Sequence, residues 1–327
     1  MIQFTRFFKA TLVSLSLAVA VPMLLAQDKF PSKPVNIVVT FGAGGVGDIL
    51  ARALAIQLTE TLGQSVIVEN RPGGSGVPGT QYAARAPADG YTILQYTTTL
   101  ALNQIMRPNL SYDLLRDFTP LSFSFEAPVL LLTPGTSPNR KLSELVAYAK
   151  SQPRGVSFGH GGSGSMSHLS SELLKREMGV DAVSIAYKGN GPAMTDLIGG
   201  RLDYYFAAVA DSVANVQAGR LNALAITGTE RDPSLPNVPT MIELGYKNFT
   251  PTISWGFFVP KATPAPVAKQ LQDAFAKAIA APAFQERLRS LGTTSKNSGG
   301  PDALAAKVKE EIARWGPIIK AANIQSD

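Results

Sequence analysis

From Val35 onward, short β-branched segments alternate with helix-length segments, and this alternation constrains the fold more than any other feature of the chain. Val35-Asn36-Ile37-Val38-Val39 reads as a buried strand, and Leu50, Leu54, Leu58 and Leu62 then recur at helical spacing up to Gly63. Ser65 to Val68 and Tyr91 to Leu94 are the next strands, the latter after the turn-forming Pro87-Ala88-Asp89-Gly90. Further strands are expected at Val129 to Thr133, Val156 to Phe158, Val183 to Ala186, Asp203 to Phe206 and Leu221 to Ile226. A helix is expected over Leu142 to Lys150 and in each later interval between strands. Pro233, Pro236 and Pro239 mark an irregular connection, Ile253 to Val259 is a late strand, and from Val267 onward the chain reads as helical. Strands alternating with helices predict βαβ units, hence an α/β fold with mainly parallel sheets.

The first residues bear on the compartment. Arg6 and Lys9 precede an uncharged apolar stretch from Thr11 to Leu25, and small residues offer cleavage after Ala20 or Ala26. This is the layout of a secretory signal peptide. The stretch is short for a membrane span and holds Pro22. Removing residues 1–26 takes away two bases and no acid, so the formal charge falls from +6 to +4. The remaining charges are mixed along the chain, without the clustered basic stripe of a nucleic-acid binder. With no Cys and only His160 and His168, neither disulfides nor a metal site of the usual kind is expected. The roughly 300 mature residues suit two lobes, each with its own core.

Two glycine loops carry the chemistry. Gly42-Ala43-Gly44-Gly45-Val46-Gly47 matches G-x-G-x-x-G directly after a strand and at the opening of a helix, and Glu69 follows 22 residues after Gly47. Those facts alone describe a dinucleotide fingerprint, with pyrophosphate at the helix N-terminus and Glu69 on a ribose. A dinucleotide-dependent oxidoreductase is therefore the alternative reading. It requires a hydride-handling acid–base set, for which the chain offers no candidate, and nicotinamide cofactors are scarce outside the cytoplasm. The physics of the loop serves a carboxylate as well as a phosphate. Asp48 is expected in the first turn of the helix, orienting the loop or a water. Asn70-Arg71-Pro72-Gly73-Gly74-Ser75-Gly76 follows the second strand as the first loop follows the first. Parallel neighbours put both loops at one sheet edge, where open α/β sheets bind ligands.

The ordered set of motifs resembles the periplasmic substrate-binding receptors of tripartite tricarboxylate transporters, the Bug family. It comprises Phe30-Pro31-Ser32-Lys33-Pro34, Val39 to Gly45 with Asp48, Glu69 to Gly76, Ala88 to Leu94 and His168-Leu169. Ala186-Tyr187-Lys188-Gly189, Asp196 to Gly200, Pro239-Thr240 and Ser254-Trp255-Gly256 complete it, so the likeness runs from about Phe30 to Ile324. The resemblance implies a non-enzymatic, two-lobed periplasmic binding protein of type II-like architecture, its mainly parallel sheets joined by two crossing strands. Lobe one would hold 27–128 and 250–327, and lobe two 129–249. It also implies delivery of a small carboxylate to membrane components of such a transporter by a monomeric receptor without cofactor or metal.

The family's ligand loops map onto Phe41, Gly42, Ala43, Gly44, Gly45 and Asp48, and onto Asn70, Gly73 and Gly74. Thr97, Thr98, Ser163 and Ser165 are further candidates, because hydroxyls donate to carboxylates at small desolvation cost. Tyr187 is a candidate at a strand end. His160 stands where relatives often carry Ser, and a cationic imidazole there would strengthen the grip on a dianion; His168 is expected to be structural. Relatives often carry Asp where this chain has Ala207, after Phe206. Without that acid an ammonium has no partner there, so a dicarboxylate, an aromatic acid or an oxo-acid is expected in place of an amino acid.

Overall fold

The computed structural model describes residues 30–325; the expected signal segment, 1–26, lies outside the described residues. The first elements are β1 (Val35–Val39), α1 (Val46–Leu62), β2 (Val66–Asn70), α2 (Val77–Arg85), β3 (Thr92–Thr97), α3 (Thr98–Met106) and the short α4 (Leu114–Asp117). β4 (Phe118–Pro134) leads to α5 (Leu142–Ser151), β5 (Val156–His160), α6 (Met166–Met178), β6 (Ala182–Ala186), α7 (Asn190–Ile198), β7 (Tyr205–Ala208), α8 (Val209–Gln217) and β8 (Leu221–Ile226). β9 (Thr252–Pro260) returns the chain to α9 (Ala265–Ala280), α10 (Pro282–Ser290) and α11 (Pro301–Ala321).

Pairing directions explain how two sheets come to face each other. β1 pairs in parallel with β2 and β3, and β9 lies antiparallel between β3 and β4. β4 therefore runs the same way as β1 to β3. Past the middle of β4 its partners are β7 and β8, both antiparallel to it. β5 pairs in parallel with β6 and, through a Phe158–Tyr204 bridge, with the approach to β7. The C-terminal ends of β1–β3 and of β5–β8 thus point at each other along the β4–β9 ribbon. This is the two-lobed α/β arrangement with crossing strands.

Three local readings are corrected. β4 begins at Phe118, well before the expected Val129, because Pro120 and Pro128 mask the strand pattern; a register shift follows Pro120, while Pro128 pairs in register with Thr252. β7 starts after Asp203, whose carboxylate is taken by the Ser157 N–H at 2.7 Å. The C-terminal region is not continuously helical: Thr294 and Gly299 form antiparallel bridges with Glu126 and Phe123 on the open edge of β4.

Each sheet is covered on both faces. Leu50, Leu54 and Leu58 of α1 pack with Phe125, Trp255 and Phe275 on one face of the first sheet, and Leu100, Tyr96, Leu304 and Val308 fill the other. In the second lobe, Phe158, Leu169 and Phe206 form one core and Leu130, Leu197 and Tyr205 another. Trp315, Ile318 and Ile319 of α11 join the Phe158 core. The last turns of that helix therefore pack with residues of the 129–249 segment.

Candidate functional site

The two glycine loops are locked together by one buried acid. Asp48, in the first turn of α1, is 4% exposed. Its Oδ2 accepts the Gly44 N–H at 2.9 Å and the Arg52 Nε–H at 3.1 Å, while Oδ1 accepts from Asn70 Nδ2 at 2.9 Å. Asn70 Nδ2 also donates to the Phe41 carbonyl at 3.1 Å, and its Oδ1 accepts from Arg52 at 2.7 Å. Burial alone would raise the pKa of Asp48. The hydrogen bonds from Arg52, the Gly44 N–H and Asn70 outweigh it and hold the carboxyl below its ordinary 3.8. Asp48 and Asn70 therefore act as a brace between the loops, with their side chains committed. The sequence alone suggested an orienting role for Asp48; Arg52, one helical turn on, was missed.

Removing the brace should be costly. Asp48→Ala leaves the Gly44 N–H, Arg52 and Asn70 without their acceptor, and a loss of about 3 kcal/mol is expected. Urea denaturation checks this, and a midpoint equal to that of the parent chain would show that the loops hold without it.

Within the brace the glycine backbone is presented outward. Phe41 to Gly45 are exposed, as are Gly73 and Gly74. Gly44 has φ +87°, a left-handed conformation that side chains disfavour. Gly47 is needed for close approach, since a Cβ there would stand 2.5 Å from Trp255 Nε1. Its carbonyl accepts from Gln95 Nε2 at 2.9 Å. Trp255 thus forms the floor under the first loop.

The edge facing these loops is built likewise. α1, α2, α3, α7 and α8 start without a side-chain hydrogen bond at the cap, while α6 is capped by Ser165. First-turn N–H groups without an acceptor favour an anion or water. Ala208 pairs with Val129 and Trp255 with Phe125, so the end of β7 lies four residues along β4 from the floor, about 13 Å.

Several candidate side chains are engaged in other work. Thr97 ends β3 on the face of Trp255, with which it pairs, whereas Thr98 is the first residue of α3. Thr98 Oγ1 donates to Glu311 at 2.9 Å and accepts the Ser254 N–H at 3.0 Å, so the expected ligand contact by Thr98 is replaced by a buried structural network. Ser165 Oγ caps α6 and lies 2.9 Å from Ser167 Oγ. Tyr187 Oη donates to Asp196 at 2.8 Å, and Arg201 holds that carboxylate. Ser163 is half-buried, and Ala207 is the penultimate residue of β7, among core residues.

His160 departs furthest from expectation. It is 2% exposed, its Nδ1 accepts the Gly162 N–H at 3.2 Å, and its ring stacks on that of His168 at 4.0 Å. A cationic ring presented to a dianion is replaced by one face of a packed imidazole pair. Desolvation, with His160 beside it, holds His168 down to about 4.

The dinucleotide alternative meets its obstacle at Glu69. One carboxylate oxygen accepts from Asn36 Nδ2 at 2.6 Å and the other pairs with Arg71 at 2.6 Å, so the acid needed for a ribose is consumed within β1, β2 and the second loop. Arg71 itself lies over the Tyr82 ring, 3.4 Å from its centroid.

Comparison with known proteins agrees with this geometry. The model of the tripartite tricarboxylate transporter family receptor matches residues 50–324. A UPF0065 protein from the tcbD–tcbE intergenic region of Pseudomonas sp. (strain P51) is 37% identical over 315 residues, covering 95% of this chain and 93% of its own. The periplasmic binding protein BugD superposes with a TM-score of 0.79 at 36% identity, covering 91% of this chain and 100% of that one. The R. palustris protein Rpa4515, solved with adipate, gives 0.81 at 33% identity, covering 90% and 99%. With its family model matched over most of its length and its two-lobed fold shared, the chain belongs to the tripartite tricarboxylate transporter receptor family, whose members are substrate-binding receptors and not enzymes.

Proposed function

We propose that this protein is a periplasmic receptor that captures a small organic carboxylate between its lobes and delivers it to the membrane components of a tripartite tricarboxylate-type transporter. One observation carries the reading: the Asp48–Arg52–Asn70 brace holds two exposed glycine loops at one edge, in front of helix N-termini that lack side-chain caps. Backbone N–H groups so arranged bind a small anion. The adipate in Rpa4515 supports the carboxylate, and BugD, a periplasmic binding protein, supports the compartment, as does the signal segment expected over 1–26.

The proposed contacts are the backbone of Phe41 to Gly45, Gly73 and Gly74, and the hydroxyls of Thr97 and Ser163, with Ala207 on the far wall. Because Ala207 offers no acid, the proposed cargo lacks an ammonium group and is a dicarboxylate, an aromatic acid or an oxo-acid. The lobes proposed are 27–128 with 250–327, and 129–249, closing about β4 and β9. One chain supplies both walls, so a monomer suffices, and no cofactor, metal or nucleic acid takes part.

A panel of organic acids followed by thermal shift and tryptophan emission tests this. At a hundredfold excess over Kd, a carboxylate should stabilise the protein by about 2.7 kcal/mol. Trp255, beneath the first loop, should report binding by a saturable emission change that Trp255→Phe abolishes, Trp315 being buried in a core away from the loop. Stabilisation by NAD and by no carboxylate would sink the proposal.

A further inference from the structure

Lobe two carries an exposed acid in spite of Ala207. Asp211 stands four residues on, in the first turn of α8, whose N-cap is Ala208. Its neighbours fix its place. Tyr205 Oη donates to Asn190 Oδ1 at 3.0 Å, which leaves Nδ2 of that amide as a donor on the side of Asp211. On the other side Ser167 Oγ accepts the Gly161 N–H at 3.2 Å. Gly161 lies so close to Asn190 that a Cβ there would collide with the amide oxygen. Asn190 thereby joins the first turn of α7 to the loop that follows β5, and Asp211, in the first turn of α8 after β7, stands at the same strand ends. Solvent reaches it, yet desolvation by the surrounding protein raises its carboxyl above the ordinary value against the Asn190 hydrogen bond. α8 opens directly after β7, so its first turn stands at the strand ends that point toward the glycine loops.

We infer that Asp211 selects the distal group of the cargo: a monocarboxylate whose far end offers a hydroxyl to the Asp211 carboxylate. The inference rests on the proposed carboxylate-receptor function and narrows it. A second ligand carboxylate at this place would meet Asp211 charge against charge. An ammonium would complement Asp211 but would sit at the uncapped N-termini of α7 and α8, whose dipoles disfavour a cation. A hydroxyl carries neither penalty and donates to a charged acceptor, one of the stronger hydrogen bonds. Within the small organic carboxylates proposed as cargo, hydroxylated monoacids are favoured over diacids.

Calorimetry with two matched trios separates these cases. The flexible trio is 4-hydroxybutyrate, succinate and 4-aminobutyrate; the rigid trio is 4-(hydroxymethyl)benzoate, terephthalate and 4-(aminomethyl)benzoate. In at least one trio the hydroxy acid should bind at least about tenfold tighter than the diacid, a difference of about 1.4 kcal/mol. Asp211→Asn, which keeps an acceptor for Asn190, and Asp211→Ala should both collapse that ratio to about threefold or less, with the diacid gaining. A ratio that both variants leave intact, a diacid or ammonium acid that binds the parent chain as tightly, or no binding of either hydroxy acid overturns the inference. In each of those cases the carboxylate reading still stands if other carboxylates stabilise the parent chain; if none does, that reading fails first.

Discussion

Gly42→Val should weaken carboxylate binding by roughly a hundredfold while leaving the fold intact. Gly42 is exposed at the first loop, a Cβ there meets nothing within 4 Å, and its φ is not in the left-handed range. The substitution is therefore free of the backbone strain that any side chain would bring at Gly44, where φ is +87°. An isopropyl group at the mouth of the loop would occupy the space from which a carboxylate oxygen reaches the backbone N–H groups, which requires about 2.9 Å. Losing two charge-assisted hydrogen bonds of about 1.5 kcal/mol each lowers affinity by roughly a hundredfold. Calorimetry with any carboxylate that binds the parent chain, paired with a thermal melt, gives the answer. An unchanged affinity would remove the first loop from the site, and a large drop in melting temperature would show that the loop matters for folding instead.

The second large effect concerns pH. Two buried groups have displaced pKa values in opposite directions of linkage. His168, 8% exposed, is held down to about 4 from 6.5 by desolvation, with His160 and Lys175 adding to it. The unfolded chain takes up this proton near pH 6.5 and the folded chain does not until about 4, so stability is lost as pH falls from 6.5 to 4. Glu311, 3% exposed, is pushed up to about 7 from 4.5 by burial, against hydrogen bonds that include those from Tyr96 and Thr98. The folded chain keeps this proton to about pH 7 while the unfolded chain gives it up above 4.5, so stability is lost as pH rises from 4.5 to 7.

Between pH 5 and 7 each contribution changes by about 2 kcal/mol, and the two nearly cancel. The parent chain should therefore show a flat stability profile in this window. Glu311→Gln should expose the histidine and gain about 2 kcal/mol from pH 5 to 7, while His168→Gln should lose about as much over the same range. Urea melts at several pH values distinguish the cases, and flat profiles in both variants would show that neither group is displaced.

Much of this molecule could be read locally. The expected strands at Val35–Val39 and Leu221–Ile226 coincide with β1 and β8, and the helix expected from Leu142 agrees with α5. Hydrophobic period is a short-range property, and it survives folding wherever one face of an element is buried. The glycine loops were legible for a related reason: a loop between a strand and the next helix of a βαβ unit must lie at the C-terminal sheet edge. The length of β4 was not legible, because its prolines read as breaks while an antiparallel partner, with a register shift after Pro120, absorbs them.

The order of amino acids alone thus establishes an α/β chain with two glycine loops on one edge of its first sheet, since both follow from neighbours along the sequence. Which side chains those loops confront follows from pairings across the chain. Thr97 and Thr98 are adjacent, yet one lies on the face of Trp255 and the other is bonded to Glu311, 213 residues away. His160 stacks on His168, eight residues on, and Tyr205 of β7 holds the side-chain amide of Asn190 in α7. Local pattern reports that a residue is buried or exposed, whereas its partner depends on which distant strand or helix the topology brings alongside.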